Sequence, residues 1–270
     1  MTAAATSASA SASPSCGATV WKSAGKPWVC TFDDEFTAAS IDRTKWSVVT
    51  TADSGYHSGT ECFTAGNVSE ANGYLALSSR RLNASIRCAK PVGVYYTRYT
   101  SGSVTSLGHF GQTYGLFSVR ALFPASVIGG LQSSLWLYPV NATRYGNWPR
   151  SGEIDIAENY SDYAHLAIPD IHYRPRGSDP DVTNRNCVIK VGAFHTYTAL
   201  WTPAGITISV DGTVCVHDAP HPSGGLAAPA PFNMPFMLNL TQAIGVTRNG
   251  PSQRTQLPAT TYVDYVRVWK

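Results

Sequence analysis

The chain has 270 residues, a formal net charge of +3 and charged side chains at only 14% of its positions. That length suits one large core, and all-β domains often reach it as a single unit. The scattered lysines and arginines argue against a nucleic-acid surface, and no apolar run is long enough for a signal peptide or a membrane span. Seven tryptophans and fourteen tyrosines fill cores, and their flat faces also stack on sugar rings.

Residues 1–15, MTAAATSASASASPS, offer almost nothing to bury and are expected to form a flexible tail ahead of one domain at 16–270. Beyond it, short runs of β-branched and aromatic residues alternate with Gly, Pro, Asn and Ser. In chain order they are CTFDDEF (30–36), GYLALSS (73–79), YGLFSVRALF (114–123), SSLWLYP (133–139), EIDIAE (153–158), TYTALW (196–201), GITISVDG (205–212), FMLNL (236–240) and TYVDYVRVW (261–269). Each reads as a strand, and no stretch keeps a helical period for a dozen residues. Asp211-Gly212 between alternating apolar residues predicts a tight hairpin. The expectation is an all-β antiparallel sandwich with both ends of the domain in sheet.

Six cysteines, at 16, 30, 62, 88, 187 and 215, lack metal-binding spacings, which favours disulfides and an oxidising compartment over zinc. Spacing does not determine connectivity; pairing of neighbours in order is the expectation. N-x-S/T sequons at Asn67, Asn83, Asn141, Asn159 and Asn239 give secretion slight support.

The stretch SGEIDIAENY (151–160) gathers Glu153, Asp155 and Glu158 into six residues. Alternation places Glu153 and Asp155 on one face of a strand, whereas Glu158 falls out of phase. A β-bulge near Ile156 and Ala157 returns it to their side. Like charges crowded on one face repel, so a purely structural strand gains nothing from them, while acid–base chemistry does.

With these segments in place, the chain resembles the family 16 glycoside hydrolases of the laminarinase-like type. The likeness runs from FDDEF with KW (45–46), through YGLFSVRALFP, LWLYP and GEIDIAE, to FHTYTALWTPAGITISVDG (194–212), PFMLNL and VDYVRVW. It implies a concanavalin-like jelly roll with a substrate cleft on the concave sheet, and a secreted, monomeric, retaining endo-β-glycanase acting on β-1,3-glucan. It assigns Glu153 as nucleophile, Glu158 as acid/base and Asp155 as the residue that holds the nucleophile. Trp136 and Trp148 are then candidates for sugar stacking, His172 for contact with the sugar or Glu158, and Asn67 for a place in the cleft. Glu35, Gly73 and Asp264 match positions that hold a structural calcium in many relatives; no cofactor is implied for bond cleavage, nor any nucleic-acid or membrane partner. Two departures lie near the cleft. Gln132-Ser133 replaces a Trp-Pro pair, and TQAIGV (241–246) replaces the usual Gly-Gly. The competing readings are a transglycosylase on cell-wall β-glucan and a carbohydrate-binding protein without catalysis.

Overall fold

The computed structural model describes residues 14–22, 25–175 and 181–270; the expected tail lies almost wholly outside them. Sixteen strands account for the framework: β1 (Cys30–Asp34), β2 (Ser47–Val48), β3 (Cys62–Phe63), β4 (Val68–Ala71), β5 (Tyr74–Ala89), β6 (Val94–Thr105), β7 (Gly115–Leu122), β8 (Leu131–Pro139), β9 (Glu153–Tyr160), β10 (Ile168–His172), β11 (Asp181–Thr183), β12 (His195–Thr202), β13 (Gly205–Val210), β14 (Thr213–Asp218), β15 (Phe236–Ile244) and β16 (Ala259–Trp269). Among the described residues a single four-residue α-helix, Thr51–Ser54, joins them.

The strands follow the order β11-β10-β9-β8-β15-β6-β5-β16-β7-β12-β13-β14. The long strands β5 and β6 let this ribbon fold over on itself. Leu75 to Ser79 of β5 pair with β16, and Arg80 to Ala89 pair with β6. Lower in β6, Gly102 to Thr105 pair with β15. Leu135, Leu137, Ile154 and Ile156 from one half then meet Phe117, Val119, Tyr197, Ala199, Trp201, Val266 and Val268 from the other in one buried core. Period-two alternation explains why each strand serves both layers: on β7, Phe117, Val119 and Ala121 are fully buried while Arg120 between them faces out. Side chains such as Phe117 and Val119 each contribute about 1.5–3 kcal/mol relative to exposure.

This is the expected sandwich. β1 pairs antiparallel with β16, so both ends of the domain lie in sheet. The β13–β14 hairpin turns at Asp211 and Gly212, with φ of 49° and 82°, as a two-residue turn of this hand requires. The bridges are Cys16–Cys30, Cys62–Cys88 and Cys187–Cys215, neighbours in order.

Candidate active site

The bulge forms where the spacing of the carboxylates demands it. On β8, Leu135 pairs with Ala157 and the next residue, Trp136, pairs with Asp155, which leaves Ile156 as the extra residue on β9. On the other side, Ile168 faces Glu158 and Asp170 faces Asp155, so two steps of β10 span three of β9. Ile156 and Ala157 are both buried although adjacent. The phase therefore slips by one, and Glu153, Asp155 and Glu158 all open into the same cleft.

The cleft has a volume of about 440 Å³. Its floor is the concave face of the sheet: Gln132, Ser134, Trp136 and Tyr138 from β8, Met237 and Asn239 from β15, Ser103 and Thr105 from β6. Tyr56 and Trp148 flank it from loops. Trp136 Nε1 donates to Thr241 Oγ1 at 3.1 Å, and its ring stands 5.9 Å from Tyr56 and 5.8 Å from Tyr138. Aromatic faces alternating with neutral hydroxyl and amide groups suit a polyhydroxylated ligand.

Each carboxylate has its own neighbours. Trp148 Nε1 donates to Glu153 Oε2 at 2.6 Å. Asp155 Oδ2 lies 3.2 Å from His172 Nε2, whose other ring nitrogen is 2.6 Å from Asp181 Oδ1 and 3.7 Å from Asp170 Oδ1. Glu158 Oε1 accepts from Gln132 Nε2 at 2.8 Å and from Ser134 Oγ at 3.4 Å, while Tyr160 donates its hydroxyl to Oε2 at 2.8 Å.

Burial is the first influence on these charges. It pushes Asp155 up to about 7 against the hydrogen bond from His172, and it pushes Asp170 to about 7 as well. Burial, then the adjacent Asp155, hold Glu153 well above the usual carboxylate range, opposed by His172 and Trp148. Burial works against a charged His172, yet the hydrogen bond and charge of Asp155, with Asp170 and Glu153, raise the imidazole to about 10. At neutral pH the site is thus an imidazolium set among carboxylates that share protons.

The sequence profile of Glycosyl hydrolases family 16 matches residues 59–257. The chain belongs to that family. A keratan-sulfate endo-1,4-beta-galactosidase of Sphingobacterium multivorum is 32% identical over 88% of this chain and 54% of its own length. A glucan endo-1,3-beta-glucosidase A1 of Niallia circulans is 28% identical over 88% of this chain and 37% of its own. This chain therefore spans about half the length, or less, of those two relatives. Among solved structures, the laminarinase catalytic domain of Thermotoga maritima superposes with a TM-score of 0.75 at 25% identity, covering 90% of this chain and 98% of that one.

Against this family 16 frame, the residues expected from sequence separate into two groups. Glu153, Asp155, Glu158, Trp136 and Trp148 converge on the cleft. His172 reaches the cluster, and its partner there is Asp155 in place of Glu158. Asn67 does not line the cleft: its amide accepts from Thr64 Oγ1 and donates to the Ser78 carbonyl, both at 2.7 Å, which pins a turn under β5. The calcium set does not assemble as carboxylate donors. Glu35 is held by Arg267 through two hydrogen bonds of 2.7 and 2.8 Å, and Asp264 by Arg120. Both carboxylates are thus engaged by arginines, while Gly73, whose carbonyl is the third expected donor, sits in a left-handed turn.

Sequence reading placed Gln132 and Thr241 near the cleft only as departures from the family pattern, and it gave no site role to Ser134, Tyr160, Tyr56, Asn239, Asp170 and Asp181. For the residues of β8 a signal existed: 132, 134, 136 and 138 share one face by alternation, so Trp136 in the cleft implies its neighbours there.

Proposed function

We propose that this chain is a secreted retaining endo-β-glycanase that hydrolyses β-1,3-glucan by double displacement. The observation that carries the reading is the bulge at Ile156, which turns Glu153 and Glu158 into one cleft across a floor of aromatic and neutral polar groups. A retaining mechanism needs two carboxyl groups on one side of the chain, close enough for one to attack the anomeric carbon while the other protonates the leaving oxygen. Glu153 is the nucleophile, with Trp148 steering one carboxylate oxygen. Glu158 is the acid/base, cradled by donors on both oxygens. Asp155 and the imidazolium of His172 hold the nucleophile's surroundings in place and balance their charge.

Aromatic rings at Tyr56, Trp136, Tyr138 and Trp148 supply stacking surfaces for successive sugars, and an open groove suits attack within a polymer. Three disulfides favour an oxidising, extracellular setting. The keratan-sulfate galactosidase relative, at the higher identity, supports a second reading in which the polymer contains β-1,4-linked galactose.

The test separates the two glutamates. Glu153→Ala should abolish turnover on every substrate, because no glycosyl-enzyme forms. Glu158→Ala should still react with aryl glycosides carrying good leaving groups, and azide should release a β-glycosyl azide with retained configuration. An inverted azide product from Glu158→Ala, or near-normal activity in either variant, refutes the assignment. A panel of laminarin, mixed-linkage glucan and galactose-containing glycans, scored by product size, decides between the substrates.

A further inference from the structure

Gln132 stands directly opposite Tyr160 in the β8/β9 ladder, two residue pairs beyond the Ser134/Glu158 pair. Residues two apart on a strand share a face, so both side chains lie beside Glu158 and both reach back to it. Gln132 takes Oε1 and Tyr160 takes Oε2, each at 2.8 Å. The Gln132 backbone is itself held, since its carbonyl accepts from Gln242 Nε2 at 3.3 Å. A primary amide offers both a donor and an acceptor.

We propose that Gln132 is a positioning residue for Glu158 that hydrogen-bonds it in both of its protonation states. Its amide donates to the carboxylate and, after a half-turn about its last bond, accepts from the carboxylic acid. The proposal rests on the reading of Glu158 as the acid/base. In the first displacement the glycosidic C–O bond breaks, the departing oxygen takes the proton of Glu158, and a bond forms from the anomeric carbon to Glu153. In the second, a water oxygen attacks that carbon, the bond to Glu153 breaks, and Glu158 takes a proton from the water. Glu158 therefore changes protonation twice per turnover, and a partner limited to one state loses its bond in the other.

The other groups around Glu158 are charged or carry a hydroxyl, which like the amide can both donate and accept. Glu153, Asp155 and Tyr160 lie on its own strand, Asp170 on β10 with His172 beyond it, and Tyr56 on the loop ahead of β3. β8 contributes only the neutral Gln132 and Ser134. Among the described residues, Gln132 is the neighbour of Glu158 with both a donor and an acceptor on a rotatable amide.

The experiment uses Gln132→Met, which keeps length and removes both functions, and Gln132→Glu, which is isosteric and adds a like charge. The pH profile of kcat/KM is measured on an unactivated oligosaccharide, and the two half-reactions are resolved in pre-steady-state work on an aryl glycoside. In Gln132→Met, kcat should fall about tenfold with KM little changed, as expected for loss of one charge-assisted hydrogen bond in the transition state. The N–H···O⁻ bond is the stronger of the two that are lost. Its removal favours the acid, so the alkaline limb of kcat/KM should move upward by about half to one pH unit. Gln132→Glu should move it further, and deglycosylation, which needs the base, should slow more than glycosylation. A limb that stays in place or moves down, or a rise in KM alone, overturns the proposal. Azide rescue of Glu158→Ala on the same aryl glycoside shows which idea has failed: rescue with an unmoved limb removes only the role of Gln132, whereas absence of rescue removes the acid/base assignment beneath it.

Discussion

Trp148 is 52% exposed, so little of its free energy is spent on the fold, yet its indole N–H sits on Glu153 and its ring stands 5.3 Å from His172. Trp148→Phe keeps the ring and removes the donor. We expect kcat to drop about tenfold, the worth of one hydrogen bond to a charged group, with an unchanged melting temperature; a fall in stability without a fall in kcat would make the contact structural. Asp170 presents the converse case. It is buried, its Oδ1 has no hydrogen-bond partner, and its pKa rises from 3.8 to about 7. Between those values the folded protein binds the extra proton, so stability falls as pH rises through that window, and above about 7 the anion's burial cost, partly offset by His172, is present. Asp170→Asn should therefore raise the melting temperature at pH 8 by several degrees and leave it nearly unchanged near pH 4, as read by calorimetry at the two pH values. A gain that is equal at both would mean the charge is not its source.

At the scale of elements, the loop before β3 decides how Tyr56 meets the cleft. Glu61 is fully buried, and its carboxylate accepts from the backbone N–H groups of Ser58 and Gly59, which compensates its burial and fixes the loop. Gly59 has no room for a side chain: a Cβ there would lie 2.5 Å from the Ile244 carbonyl oxygen and 2.9 Å from Glu61 Oε2. Gly59→Ala should displace the loop, move the Tyr56 ring away from Trp136, and raise KM several-fold with a smaller effect on kcat in steady-state assays. An unchanged KM would show that Tyr56 contributes nothing to binding. None of this was readable from a local pattern, because Glu61 earns its place through backbone groups two and three residues away in a turn. The bulge of β9 was readable, since its charged and apolar residues differ so strongly that a one-residue slip leaves a trace. β6 left none. Its first half is largely exposed, and Ser101 to Val104 are all buried as the strand runs between β15 and its flanking partners, which erases the period-two signal. Serines, threonines and an asparagine supply much of the cleft floor; these residue types are ordinary in any sheet, and only the fold reveals which face they occupy.

For the whole molecule, the question is what holds the two ends of the domain and the long β5–β6 arm to the sandwich. Cys16–Cys30 ties the start of the domain to β1, Cys62–Cys88 ties β3 to the end of β5, and Cys187–Cys215 ties the segment after β11 to β14. Each closes a loop in the unfolded chain and is worth about 2–4 kcal/mol, so a reductant should lower the melting temperature markedly. β1 is further fixed to β16 by its ladder and by Arg267 on Glu35, while Arg120 of β7 neutralises Asp264 of β16. These pairs occupy the carboxylates that the family resemblance would give to calcium, and a dication there would face two guanidinium groups already in contact with its ligands. Thermal melts in EDTA and in excess calcium should therefore coincide within about a degree, since a ligand that does not bind the folded state cannot stabilise it. A melting temperature that falls in EDTA and returns with calcium would show that the arginines yield to the ion.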